Sequence, residues 1–392
     1  MPTNKKENNI VERNDSKKPK WKKRLFWTVL IVLIVGVLAL TLYNDLRNPA
    51  ELSATMYHAF RKYWWFLLLA AVCMALVFVA RALKYSIMMH FFTGKARFLI
   101  CVNTVIIGRF YDCITPVATG GQPFQIRYLQ KKGIPDGATI SMPAVEYIVS
   151  RLSTVFLSIL AVVLCAFTPI GNSIFGENIE AMIAIYIAAS FGILVNLGLP
   201  VLLFLSLFSR KVCSKVTRFV VNIAKFFRLT KDADKLYNNA MVKLEKNIEC
   251  MKLILRKKRL MLLFVFSIGA KIALASVGYF AIKAFGWNSV ETPEAISYGW
   301  GWVDITVINI LIQSAVTWFP TPGNAGAAEG WFYVVFNRAI PGAGAIAMLI
   351  WRFLTYYSTI ILGFFVQMLI KRRDRGITKA EHTEKTLAPV EP

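Results

Sequence analysis

Apolar runs of about 20 residues, enough helix to span the ~30 Å hydrocarbon core of a bilayer, recur along this chain, and two of them break where a spanning helix should continue. The first break is Thr115 to Gln125, TPVATGGQPFQ, and the second is Pro320 to Gly330, PTPGNAGAAEG. Pro116, Pro123, Pro320 and Pro322 remove backbone donors, while Gly120, Gly121, Gly323 and Gly326 open conformations that a helix does not use. Such backbone cannot face lipid, because every unpaired peptide group is costly in hydrocarbon. At membrane depth it is tolerated where it is buried in protein or lines a wet cavity. Two breaks therefore point to a binding or transport site between two halves.

Composition agrees with a membrane-embedded chain. Hydrophobic residues make up 56% and the mean hydropathy is +0.52, which sets a soluble fold aside. The six cysteines, Cys73, Cys101, Cys113, Cys165, Cys213 and Cys250, are scattered without metal or disulfide spacing, and His58, His90 and His382 are far apart. No metal and no cofactor is expected. No G-x-x-x-x-G-K-[ST] loop is present, which argues against ATP-driven transport by this chain. The net charge of +24 sits beside the apolar runs, the pattern of cytoplasmic segments meeting anionic lipid and not that of nucleic-acid binding.

Charge also sets the topology. Residues 1–24, with nine Lys or Arg against three acids, read as a disordered cytoplasmic tail, and 25–43 as a retained first span. A second span runs over 63–83, closed by Arg81 and Lys84 on the inside. Basic residues at both ends of 98–126 place its start and end in the cytoplasm, so it reads as a re-entrant hairpin turning at the first break. Spans over 136–167 and 181–208 follow, joined by an outer loop, 168–180, that carries acids and no Lys or Arg. Residues 209–258 hold fourteen Lys or Arg against four acids and read as a basic cytoplasmic linker, amphipathic over 212–227. A span over 260–285 leads to a second acidic outer loop, 286–301. With 344–370 as the last span, parity makes 303–337 a hairpin entering from outside. The expectation is an all-α polytopic membrane protein with about six full spans and two broken hairpins laid out as an inverted repeat. The membrane halves are 25–208 and 259–370, and 371–392 is a polar cytoplasmic tail.

The strings IGRFYDCITPVATGGQPFQIRYLQKKGI, SRLSTV, FPTPGNAGAAEGWF and WRFLTYYSTIILGFF carry a resemblance. Over roughly 24–372 the chain resembles the membrane region of lysylphosphatidylglycerol synthases, also called multiple peptide resistance factor proteins, a region that also occurs alone in flippase-like proteins. The resemblance implies a bacterial plasma-membrane protein that moves aminoacylated phosphatidylglycerol to the outer leaflet and so confers resistance to cationic peptides. In that family a separate soluble domain makes the lipid from lysyl-tRNA. Here seventeen residues follow Arg375, and the longest soluble segment is 209–258, both shorter than a catalytic domain. Lysyl transfer by this chain alone is therefore not expected, and a separate lipid-synthesising enzyme is a partner the resemblance implies. The remaining partners are membrane phospholipids, anionic lipid at the cytoplasmic face and a second copy of the chain.

Ionisable groups inside spans are expensive and so are functional candidates by default. They are Arg109, Asp112, Glu146, Arg151, Lys271, Asp304, Glu329 and Arg352. Arg109 and Asp112, three apart, either serve the site or neutralise each other. Glu146 and Arg151 do not share a helix face and should find partners on other helices. Arg151 and Arg352, at positions the resemblance marks, either grip a lipid phosphate in bidentate fashion or bond carbonyls freed at the breaks. Glu329 either holds a cationic headgroup or proton, or caps the helix starting near Gly330. Asp304 reads as an N-terminal helix residue. Gln122, Gln125, Thr115, Thr119 and Asn324 either bond a headgroup or satisfy the broken backbone. The candidate headgroup or translocation set is Arg109, Asp112, Gln122, Gln125, Glu146, Arg151, Asn324, Glu329 and Arg352, with no catalytic residue. The function expected is a flippase-like lipid translocator. The alternatives are the lipid-handling part of a lysyltransferase with a separate catalytic chain, and a non-transporting scaffold.

Overall fold

The computed structural model describes residues 63–115, 120–176, 179–206, 257–285, 301–319, 321–337 and 344–387, with isolated positions before 63 and between 214 and 241. The expected first span, 25–43, most of the basic linker 209–258 and the outer loop 286–300 lie outside the described residues. What is described is all-α. Five helices are long and apolar enough to cross a membrane: α1 (Trp64–Thr93), α4 (Asp136–Phe167), α6 (Ile179–Ser206), α7 (Lys257–Ala284) and the closing stretch Gly344–Arg372. The last divides into α10 (Gly344–Arg352), a π-helical turn Phe353–Tyr357 and α11 (Ser358–Leu387).

Two helix ends depart from expectation. Helix α1 does not stop at Leu83 but runs to Thr93, where Gly94 with φ 69° ends it. The apolar residues Ile87, Met88, Met89, Phe91 and Phe92 beyond Lys84 carry the helix on. The tail after Asp374, which from its polar sequence reads as disordered, is helical through Leu387.

The segments that contain the breaks fold as short helices. Helix α2 (Phe98–Ile114) turns back into α3 (Gly121–Lys131). The pair is antiparallel: Asn103 bonds the Tyr128 hydroxyl at 3.2 Å, Gln125 donates to the Thr104 carbonyl at 3.2 Å, and Gly121 N–H donates to Asp112 at 2.9 Å. Tyr111 and Phe124 stack across the turn. Helix α8 (Trp302–Val316) is followed through the second break by α9 (Ala327–Phe336). At 1.5 Å per residue these 17-, 11-, 15- and 10-residue helices are each shorter than the hydrocarbon core is thick.

Helices α1 and α7 lie along each other and run antiparallel. Phe66 meets Phe280 at one end, Lys84 bonds Ser267 further along, and Arg259 covers Phe91 at the other end. Around this pair each interrupted segment leans on the other half of the chain. Helix α2 packs on α11, where Gly363 lets Phe110 approach. Helix α8 packs on α4, α6 and α7, with Gly192 of α6 directly against the Ser314 backbone and Gly278 of α7 against Asn309. The outward faces are apolar: Leu68, Val72, Leu76 and Val79 of α1, and Ile183, Ile187, Phe191 and Leu194 of α6, recur at helical spacing and are exposed. Between α4 and α6 the short helix α5 (Ile170–Phe175) buries Ile170, Ile174 and Phe175 in the core. The expected outer loop is thus partly a packed plug.

Candidate functional site: a polar cavity beside the two breaks

Two apolar cores sit at different levels of the helix bundle. One includes Ala70, Met74 and Val77 of α1, Leu157 and Ala161 of α4, and Ala275 to Ala284 of α7. The other includes Ala82 to Met89 of α1, Ala138 to Val149 of α4, and Leu263 of α7. Between them, near the mid-length of α1, α4 and α7, opens a cavity of about 190 Å³.

Its wall collects the charges of five separate helices. Arg81 comes from α1, Arg109 and Asp112 from α2, Glu146 and Arg151 from α4, Lys271 from α7, and Arg352 from α10. Gln122 at the start of α3, Gln313 and Thr317 of the α8 limb, Gly323 and Asn324 of the second break, and Thr355 and Tyr356 of the π-turn complete the polar lining. A charge at such depth is costly unless it faces protein or water. Here the residues share one enclosure, which is how the fold accommodates them.

Two of the three carboxylates are paired with cations. Glu146 accepts from the Lys84 ammonium at 3.0 Å, and Lys84, 1% exposed, also donates to Ser267 at 2.7 Å. Glu329 lies behind the wall at 2% exposure. One oxygen accepts from Arg352 Nε at 2.6 Å. The other accepts from Arg352 at 3.2 Å and from the Gly326 amide at 2.7 Å. Glu329 therefore caps α9, as a carboxylate does at a helix N-terminus. It also neutralises Arg352, which further donates to the Gly323 carbonyl at 3.2 Å. Asp112 plays the matching part at the first break, receiving the Gly121 amide as α3 begins.

The cations are less satisfied. Arg151 donates to Asn196 of α6 at 2.8 Å and lies over the Tyr147 ring. Arg109 makes no ion pair with Asp112, and its Nε is buried without a partner. Among the described residues no ion pair or hydrogen bond engages the charged ends of Arg81 or Lys271. Counting Lys84 and Glu329, six cations meet three carboxylates at this site, an excess of up to three positive charges.

Of the residues expected from sequence, Arg109, Asp112, Gln122, Glu146, Arg151, Asn324 and Arg352 are brought onto one cavity. Gln125 is not. It is 8% exposed and is held between the Thr104 carbonyl and the Tyr85 hydroxyl, where it joins α3 to α2 and α1. Glu329 acts through Arg352 and does not line the cavity. Thr115 satisfies broken backbone, accepting from the Gly120 amide at 3.0 Å, while Pro116, Thr119 and Pro320 lie outside the described residues. Asp304 caps α8 by accepting from the Gly301 amide.

Arg81 was missed as a site residue because it was read as a membrane-edge charge. The apolar run after Lys84 was the available signal that the helix continues and leaves Arg81 inside. Tyr356 was missed too. Its hydroxyl donates to the Cys113 carbonyl at 3.1 Å, and its ring lies directly where a side chain on Gly323 would project. That one ring touches the ends of both breaks, a juxtaposition that no sequence spacing reveals.

No curated protein matches the chain. Residues 26–363 match the family described as the lysylphosphatidylglycerol synthase TM region; the chain belongs to that family and is an integral membrane protein of it.

Proposed function

We propose that the protein is a phospholipid translocator whose cavity receives a lipid headgroup by its phosphate while the acyl chains stay in the bilayer. The observation that carries this reading is the excess of arginine and lysine over carboxylate in one enclosure at mid-length of the spanning helices. Arginine offers a planar fork of donors that matches phosphate oxygens, and Arg109 holds a buried donor with nothing to bond. The cavity, at about 190 Å³, falls below the ~300–1,000 Å³ of sites that enclose a whole ligand. It has room for a headgroup and leaves the acyl chains outside.

In this reading the two hairpins enter the membrane from opposite faces, α2–α3 from the cytoplasm and α8–α9 from outside, and each closes one route to the cavity. The antiparallel α1–α7 pair is the axis about which the halves rock, and the headgroup is exposed to each leaflet in turn. The setting is the bacterial cell membrane, with both termini in the cytoplasm.

The test is leaflet exchange of fluorescent phosphatidylglycerol in liposomes holding the purified protein, read by chemical quenching of the outer leaflet. A lost charge-assisted hydrogen bond is worth about 1.5–3 kcal/mol. Arg109→Gln and Arg151→Gln, each eluting as a folded monodisperse protein, should therefore exchange lipid roughly tenfold or more slowly than the wild type. Equal rates in the variants, or no exchange by folded wild type, would overturn the reading.

A further inference from the structure

A second hollow opens at one end of the α1–α7 pair, away from the polar cavity, and we infer that it binds the phosphate of an anionic phospholipid of the adjacent leaflet. Its volume is about 500 Å³, within the ~300–1,000 Å³ of sites that take a ligand. Ser86, Ile87, His90 and Phe91 of α1, Ala96 of the turn that follows and Arg259 in the first turn of α7 line it. None of these lines the central cavity.

Depth sets the hollow among headgroups. Helix α1 has 30 residues, about 45 Å of helix, against a hydrocarbon core of ~30 Å. Trp64 and Trp65, both exposed, mark one boundary of the core. The turns beyond Lys84 then emerge at the other boundary, where lipid phosphates lie.

The lining supplies what a phosphate needs. The Arg259 guanidinium lies over the Phe91 ring, 3.8 Å from its centroid. That contact uses the faces of the two groups, whereas the N–H donors lie in the guanidinium plane, a fork that suits phosphate oxygens. Ser86 and His90, one turn apart on the same face of α1, bring a hydroxyl and a ring N–H. The first turn of α7 also favours an anion through its backbone amides. No lining residue is acidic, and the exposed Lys95, Arg97 and Lys258 flank the hollow along the chain. Ile87 and Phe91, packed against the second apolar core, give the start of the acyl chains an apolar wall. That wall and the depth favour a lipid over a soluble phosphate. The bound phosphate ties α1 to α7 at the end of their apolar packing.

The experiment attaches an environment-sensitive dye at Ala96→Cys, on a background freed of the six native cysteines. The purified full chain in neutral detergent is then titrated with dioctanoyl phosphatidylglycerol. The dye should respond saturably, and Arg259→Gln should raise the half-saturating concentration roughly tenfold or more, the loss of a charge-assisted bond. Because Arg259 also packs on Phe91, His90→Glu at an exposed position provides the second variant and should weaken binding by repulsion. Glycerol 3-phosphate should compete only at far higher concentration, and dioctanoylglycerol, which lacks the phosphate, should give no saturable response. Arg109→Gln in the central cavity should leave this titration as it is. The inference is overturned if phosphatidylglycerol gives no saturable response, if both pocket variants bind it as before, or if the titration moves with Arg109→Gln. A match to the lipid by glycerol 3-phosphate or by dioctanoylglycerol would overturn it as well. Leaflet exchange does not enter the readout, so failure of the translocator reading leaves this site standing.

Discussion

Arg352 and Glu329 show how much one pair of side chains can organise here. The guanidinium holds a carboxylate that caps α9 and a carbonyl of the second break, while its other face lies over Trp351 and Tyr356. A buried pair is a weak source of net stability, but breaking it leaves one charge stranded, at a cost of about 3–5 kcal/mol. Glu329→Gln and Arg352→Met should each lower the unfolding temperature of the purified protein markedly. The double variant should recover a large part of the loss, because neither charge is then stranded. Singles that melt at the wild-type temperature would show that the pair is not coupled to the fold. The sequence placed both residues beside a break and offered capping as one role for Glu329. It could not show that the carboxylate serves the cap and the arginine together.

At the level of elements, the antiparallel packing of α3 on α2 depends on close backbone approach. A Cβ on Gly121 would come within 2.5 Å of the Gly108 carbonyl oxygen and 2.7 Å of Asp112 Oδ1, and backbone cannot step aside as a flexible side chain would. Gly121→Ala should therefore cost about 1–3 kcal/mol, the usual range for overpacking, and should loosen α3 from α2. Gly269 of α7 has nothing within 4 Å of its added Cβ. Gly269→Ala should be neutral or stabilising, by up to ~1 kcal/mol, since alanine is the better helix former. Thermal unfolding of the two variants side by side checks the contrast, and similar losses in both would deny that the approach matters. The second break reaches its shape differently. Gly323, Asn324 and Gly326 all have positive φ, at 58°, 58° and 86°, which lets the chain reverse within a few residues and start α9. The π-turn Phe353–Tyr357 presents Tyr356 to this loop and to the end of α2. Such turns often mark functional positions in helices.

For the whole molecule the question is how the two halves meet the membrane. If the hairpins enter from opposite faces, cysteines placed at 120 and 325 should react with impermeant reagents from the cytoplasmic and outer sides respectively, on a background freed of the six native cysteines. Labelling of both from one side would refute the inverted layout.

Much of this architecture could be read from the residues. Apolar runs gave five described spans near their observed places because a spanning helix needs a fixed length of apolar sequence and little else. The breaks announced themselves because proline and glycine act locally on the backbone. Charges at depth flagged Arg109, Asp112, Glu146, Arg151 and Arg352, since the bilayer penalises any charge without an enclosure. The tertiary structure alone decided which of these share a cavity and which are spent. Lys84 reaches Glu146 across 62 positions and Tyr356 reaches Cys113 across 243, and no local pattern encodes such distances. It moved Arg81 from a membrane edge to the cavity wall by continuing α1 to Thr93. It also withdrew Gln125 into a joint between helices. Helix, span and break follow from interactions within a few residues of chain, whereas the balance of charge in the cavity depends on which helices pack together.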